Sequence, residues 1–173
     1  MNRVHMTALA SVVLGAAGIA FAVGPSNWSA TLSGYQEVPA LSNDAGGGFS
    51  ASISPDETTV SWELTYVATN TTQAHLHFGQ PGVSGGITVF LCTNLNNGPT
   101  GTQLCPVNGG TISGTFAAAD VVAGAAGQGI SAGELAEVIA AIRAGLVYAN
   151  VHTVANASGV ARGQLVPGRG HAH

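Results

Sequence analysis

Val60-Ser61-Trp62-Glu63-Leu64-Thr65-Tyr66 alternates apolar or aromatic residues with Ser, Glu and Thr at every step. Successive side chains of a strand point to opposite faces, so this run offers Val60, Trp62, Leu64 and Tyr66 to a core and the rest to water. The same period returns in Trp28-Ser29-Ala30-Thr31-Leu32, Phe49-Ser50-Ala51-Ser52-Ile53 and Thr111-Ile112-Ser113-Gly114-Thr115-Phe116. Gly46-Gly47-Gly48, Ser54-Pro55-Asp56 and Gly79-Gln80-Pro81-Gly82 supply turns between such runs. Short strands at intervals of about ten residues with this punctuation predict a sandwich or barrel, and the expectation is an all-β, antiparallel, Greek-key-like β-sandwich. One segment departs from the period. Ser131-Ala132-Gly133-Glu134 fits a capping box, Leu135, Val138, Ile139 and Ile142 recur at helical spacing, and Gly145 stands where a left-handed terminator belongs. A short amphipathic helix of about three turns is expected there, covering an end or open face of the sheets.

The 173 residues carry 4 basic and 8 acidic side chains, a charged fraction of 7% where an ordinary soluble domain has roughly 25%. The length favours one domain, and four scattered arginines without a lysine exclude the cationic stripe that nucleic-acid binding requires. Arg3 and His5 precede an apolar stretch from Ala8 to Val23 that ends in Ala20-Phe21-Ala22, the pattern of a cleaved export signal over residues 1–22. The stretch is shorter than the ~20 apolar residues of a membrane span, so no stable span is expected after cleavage. Cleavage leaves three arginines against eight acids, a formal charge of −5, and so little charge makes self-association plausible. Cys92 and Cys105 flank a stretch rich in Gly, Asn, Pro and Thr whose turns bring them together, so one disulfide is expected. Signal and disulfide together predict a secreted or periplasmic protein.

Chemistry is concentrated in histidines. His75 and His77 alternate around Leu76, so both imidazoles leave the strand on one side, where they can share a metal ion. His152 ends the strand-like run from Val147 and can complete a three-nitrogen set, which suits copper or zinc, with manganese or iron not excluded. Half-exposed polar histidines, and a hydrogen-bonded strand end for His152, are the competing readings. A second His-x-His, His171 and His173, closes the chain in a tail over residues 168–173, read as disordered, with metal capture as the alternative.

Gln36-Glu37-Val38-Pro39, Ala74-His75-Leu76-His77-Phe78-Gly79 followed by Gly85-Gly86, and Tyr148-Ala149-Asn150-Val151-His152-Thr153 with Gly159-Val160-Ala161-Arg162-Gly163-Gln164-Leu165 resemble, in order, the signatures of the CHRD domain, named after chordin. The resemblance covers residues 28–167 and implies an extracellular or periplasmic all-β domain whose activity it does not define. Val160 stands where the family pattern commonly has an acid. A looser likeness joins the His-x-His strand, the later histidine and the Gly-x-x-Arg-Gly segment to copper superoxide dismutases. By that analogy His75, His77 and His152 bind copper, and Arg162 attracts the superoxide anion as its catalytic residue. Arg162 has a structural alternative, as the partner of Glu37 or of a backbone carbonyl. Glu37 is a candidate fourth ligand, an acceptor for an imidazole N–H, or the ion-pair partner of Arg162. The expectation is an exported copper-binding domain and candidate superoxide dismutase, with a non-catalytic binding or adhesive module and a metal storage or delivery protein as the rivals.

Overall fold

The computed structural model describes Gly24 and residues 26–168. The expected signal, residues 1–22, and the histidines of the tail lie outside the described residues. Among the described residues nine strands and one α-helix follow in chain order: β1 (Asn27–Ser33), β2 (Gly46–Ile53), β3 (Thr59–Val67), β4 (Thr71–Phe78), β5 (Gly86–Thr93), β6 (Gly110–Ala117), α1 (Leu135–Arg143), β7 (Val147–Thr153), β8 (Ala161–Gln164) and β9 (Val166–Pro167). Among the described residues no helix is long and apolar enough to cross a membrane.

The all-β antiparallel class with one short helix is as expected. Its strands run as one hydrogen-bonded path, β5-β4-β7-β8-β1-β2-β3-β6, with β9 beside β1. The short β8 makes the path continuous, since it pairs with β7 along its length and meets β1 at Arg162 and Ser33. The path wraps nearly closed. Its two end strands, β5 and β6, are bridged by Gln103, whose side-chain amide donates to Leu91 O at 3.3 Å and Ser113 O at 3.2 Å. Below that bridge the segment after β6 fills the gap, with Val121 paired to Val89 and Val122 N–H on Thr88 O.

The alternation read from the sequence sets the core. Trp28, Ala30 and Leu32 of β1, Phe49, Ala51 and Ile53 of β2, and Val60, Trp62, Leu64 and Tyr66 of β3 all point inward and join one apolar cluster. Helix α1 adds Leu135, Val138, Ile139 and Ile142 to it. The helix begins at Leu135, three residues later than a cap at Ser131 would place it, because Gly133 adopts φ +85° and breaks the helical path. Half of the box survives, the Ser131 N–H donating to Glu134 Oε2 at 2.6 Å. The other end forms as read: Gly145 is left-handed at φ +71°, Gly145 N–H reaches Ile142 O, and Leu146 N–H reaches Ala141 O, a Schellman pair.

Cys92 and Cys105 are bonded, closing the loop that carries Gln103. Replacing both with alanine should therefore lower unfolding free energy in urea by about 3 kcal/mol, the chain-entropy value for a loop of this length. A loss well under about 1 kcal/mol would show that the loop's own hydrogen bonds hold the seam.

Candidate metal centre

Strand β7 is buried along its whole length. Val147, Ala149 and Val151 belong to the apolar core, so Tyr148, Asn150 and His152 point to the opposite, outer face of the sheet. The neighbouring strand β4 does the same: Ala74 and Leu76 enter the core, while His75 and His77 face outward. The register sets His77 opposite Tyr148, His75 opposite Asn150, and His152 one step diagonal to His75. Against β5, irregularities in pairing fall just before His75 and just before His77, where a bulge can re-aim a side chain.

The three imidazoles meet. Ring centroids lie 4.9 Å apart for His75 and His152, 5.4 Å for His75 and His77, and 5.8 Å for His77 and His152. One ring nitrogen from each lies within 4.8 Å of the others. The rings are buried, at 0%, 7% and 5% exposure for His75, His77 and His152. His75 Nδ1 and His152 Nε2 stand 3.2 Å apart, close to the ~3.4 Å that separates two nitrogens on one tetrahedral ion at bonds of about 2.0–2.1 Å.

Loops covering this face decide the tautomers. His77 Nδ1 lies 3.0 Å from Gly85 O and His152 Nδ1 lies 3.0 Å from Ala157 O. A carbonyl only accepts, so both Nδ1 atoms carry the proton and both Nε2 atoms present a lone pair. His152 Nε2 accepts from His75 Nδ1–H, which leaves His75 Nε2 and His77 Nε2 buried without a protein partner. Unpaired buried nitrogens are costly, and a cation is the partner a lone pair suits. The donor set therefore fits a metal ion.

Burial opposes protonation throughout. Desolvation, followed by His152 and His77, pushes the His75 pKa down to about 2. For His77 desolvation outweighs the Gly85 carbonyl, with His152 and Arg162 adding to it, and brings the value to about 4. His152 is lowered for the same leading reason, against the opposing pull of Ala157.

The remaining predicted residues surround the rings. Glu37 lies outside the three-nitrogen group, and its carboxylate accepts from Asn150 Nδ2 at 2.7 Å. Desolvation raises its pKa, partly offset by Asn150 and by the charge of Arg162. Arg162, 3% exposed, donates to Val83 O and Gln80 O at 2.9 Å each, the backbone-carbonyl arrangement among its alternatives. Its guanidinium carbon sits 3.5 Å over the Tyr148 ring, which in turn stacks on His77 at 4.9 Å. Gln164, on the same side of β8, donates to Gly79 O and Gly145 O. These two side chains hold the loop that brings Gly85 O to His77. Tyr148, Asn150 and Gln164 were not singled out from the sequence, although the two-residue spacing Tyr148-x-Asn150-x-His152 carried the signal. The carbonyls of Gly85 and Ala157 had no such signal, since any residue supplies one. Val160, in the position where the family commonly has an acid, is buried and bonded through its backbone to Val151 and Asn43.

Fold and site together define a β-barrel-like domain with a buried three-histidine centre roofed by loops. The CHRD domain matches residues 28–165, and the chain belongs to the CHRD domain family. Comparisons with curated proteins and with solved structures return no match, so the looser likeness to copper superoxide dismutases gains no support.

Two outcomes follow from this geometry. Gly159 has φ +134°, and a Cβ there would lie 2.6 Å from Asn150 Oδ1 and from Glu37 Oε2. Gly159→Ala should cost about 2 kcal/mol or more in denaturant unfolding, through both backbone strain and the displaced carboxylate. In the metal-free protein, the folded values near 2 and 4 lie below the ordinary histidine value of 6.5. Below pH 6.5 the unfolded chain therefore binds more protons than the native one, and stability drops as the pH falls. The unfolding free energy measured in urea should decline from pH 7 to pH 5 by up to about 1.4 kcal/mol per pH unit for each histidine, and less steeply in His77→Phe.

Proposed function

We propose that this CHRD domain is an exported metal-holding protein whose His75, His77 and His152 bind one copper ion. The observation that carries the reading is the pair of protonated Nδ1 atoms held by Gly85 O and Ala157 O, which leaves both Nε2 atoms unprotonated within the buried three-histidine group. Imidazole donors without a thiolate or carboxylate put copper first, with zinc next, and both cysteines are taken by the disulfide. That disulfide also favours an oxidising compartment. Storage, delivery or a permanently held ion fits this burial better than turnover of superoxide. A dismutase gains from a cation facing the incoming anion, whereas Arg162 is engaged by Tyr148 and two loop carbonyls.

One observation favours a second reading, a binding or adhesive module. The outer faces of β2, β3 and β6 align exposed hydroxyls in rows: Ser52, Ser61 and Thr115 in one, Thr65 and Thr111 in another, with Ser50, Glu63 and Ser113 between. Such a face needs no metal for its role.

The mature chain, purified from copper- and zinc-supplemented medium, should carry about one metal ion, and His77→Ala should weaken its retention by about tenfold or more. Superoxide dismutation should stay at the background of the buffer. A rate that vanishes with His77→Ala would make the protein an enzyme, and absence of any metal would favour the binding module.

A further inference from the structure

Resting on the metal reading above, we infer that the three-histidine centre selects the monovalent cuprous ion over divalent ions. The donors are neutral. Glu37, whose carboxylate reaches this face, is bonded to Asn150 and lies outside the three-nitrogen group. A divalent ion would thus keep its full double charge among buried rings, and the Born penalty for removing an ion from water grows with the square of its charge, about fourfold from one to two.

The walls add to this preference. Phe90 meets His75 edge to face at 4.3 Å, and Tyr148 stacks on His77 at 4.9 Å with the planes 5° apart. Divalent zinc in a three-ligand site keeps a water as its fourth partner, and octahedral ions keep several, whereas aromatic walls offer such waters no hydrogen bonds. On the far side of Tyr148 stands the Arg162 guanidinium, 3.5 Å from the ring centroid. Its positive charge repels a divalent ion at the His77 nitrogen about twice as strongly as a monovalent one. Cu(II) is the strongest competitor among the divalent ions by the ordinary order of affinities, so it sets the comparison that matters.

The test is a set of competition titrations on the metal-free mature chain without oxygen. Cu(I) is supplied with ascorbate against bicinchoninate, and Zn(II) and Cu(II) are supplied separately against chelators of known affinity. Cu(I) should bind at least about tenfold more tightly than either divalent ion. Tighter binding of Zn(II) or Cu(II) overturns the selectivity and leaves the metal-holding reading standing, while binding of none of the three overturns both. Phe90→Glu places a carboxylate against His75 outside the ligand set. In a variant that still melts cooperatively it should narrow the Cu(I) to Cu(II) ratio, and an unchanged ratio would overturn the charge argument.

Discussion

Because β7 is buried from both sides, each polar side chain on its outer face must find its partner inside the protein. A half-solvated strand could leave Tyr148, Asn150 and His152 to water. Here the loops carrying Glu37, Gly79–Gly85 and Ala157 close over them, and each supplies one contact: a carboxylate to Asn150, a carbonyl to His77, a carbonyl to His152. The loops in turn need anchoring, which comes from β8. Arg162 and Gln164 point outward and take up carbonyls of the Gly79–Val83 stretch, while Gly163 between them lets β8 approach β1, where a Cβ would stand 2.6 Å from Thr31 O.

This order of dependence explains why the polar network stops where it does. Buried side-chain atoms without a partner are few among the described residues, and two of the four are His75 Nε2 and His77 Nε2. Every other polar group around them is satisfied, down to Tyr148 OH, which accepts from Gly85 N–H at 3.0 Å. The fold thus pairs the surrounding groups and leaves a nitrogen open on each of two rings of the three-histidine group.

Strands with one wet face were legible. β1, β2, β3 and β6 alternate, and their inward residues were read correctly from the period. β5 was not read as a strand, because a strand covered on both faces loses the alternation: Gly86-Ile87-Thr88-Val89-Phe90-Leu91-Cys92-Thr93 has buried residues in consecutive positions. The histidines were legible in the same way as the strands, His75 and His77 by period and His152 by its strand-like run. Arg162 was noticed, with a backbone carbonyl among its readings, but which carbonyls it holds was not, since that depends on where a loop eighty residues earlier passes over β8. The helix start was misplaced by a local matter, the left-handed glycine at 133 that a capping-box pattern does not weigh.

The ordered motifs that mark the family are parts of a single construction. Gln36 ties its turn to β1 through Thr31 O, which fixes where Glu37 meets Asn150. The His-x-His strand supplies two rings, the Tyr-x-Asn-x-His strand supplies the third ring together with the ring that stacks on His77, and Arg-Gly-Gln holds the roof. With the roof anchored to a strand that also joins both halves of the sheet, the carbonyl of Gly85 is held over His77 by bonds of the fold. The tautomer of His77 is then a property of the fold and not of a mobile loop. That is the arrangement a tightly held ion requires, because a ligand whose lone pair is already aimed loses little freedom when the ion arrives.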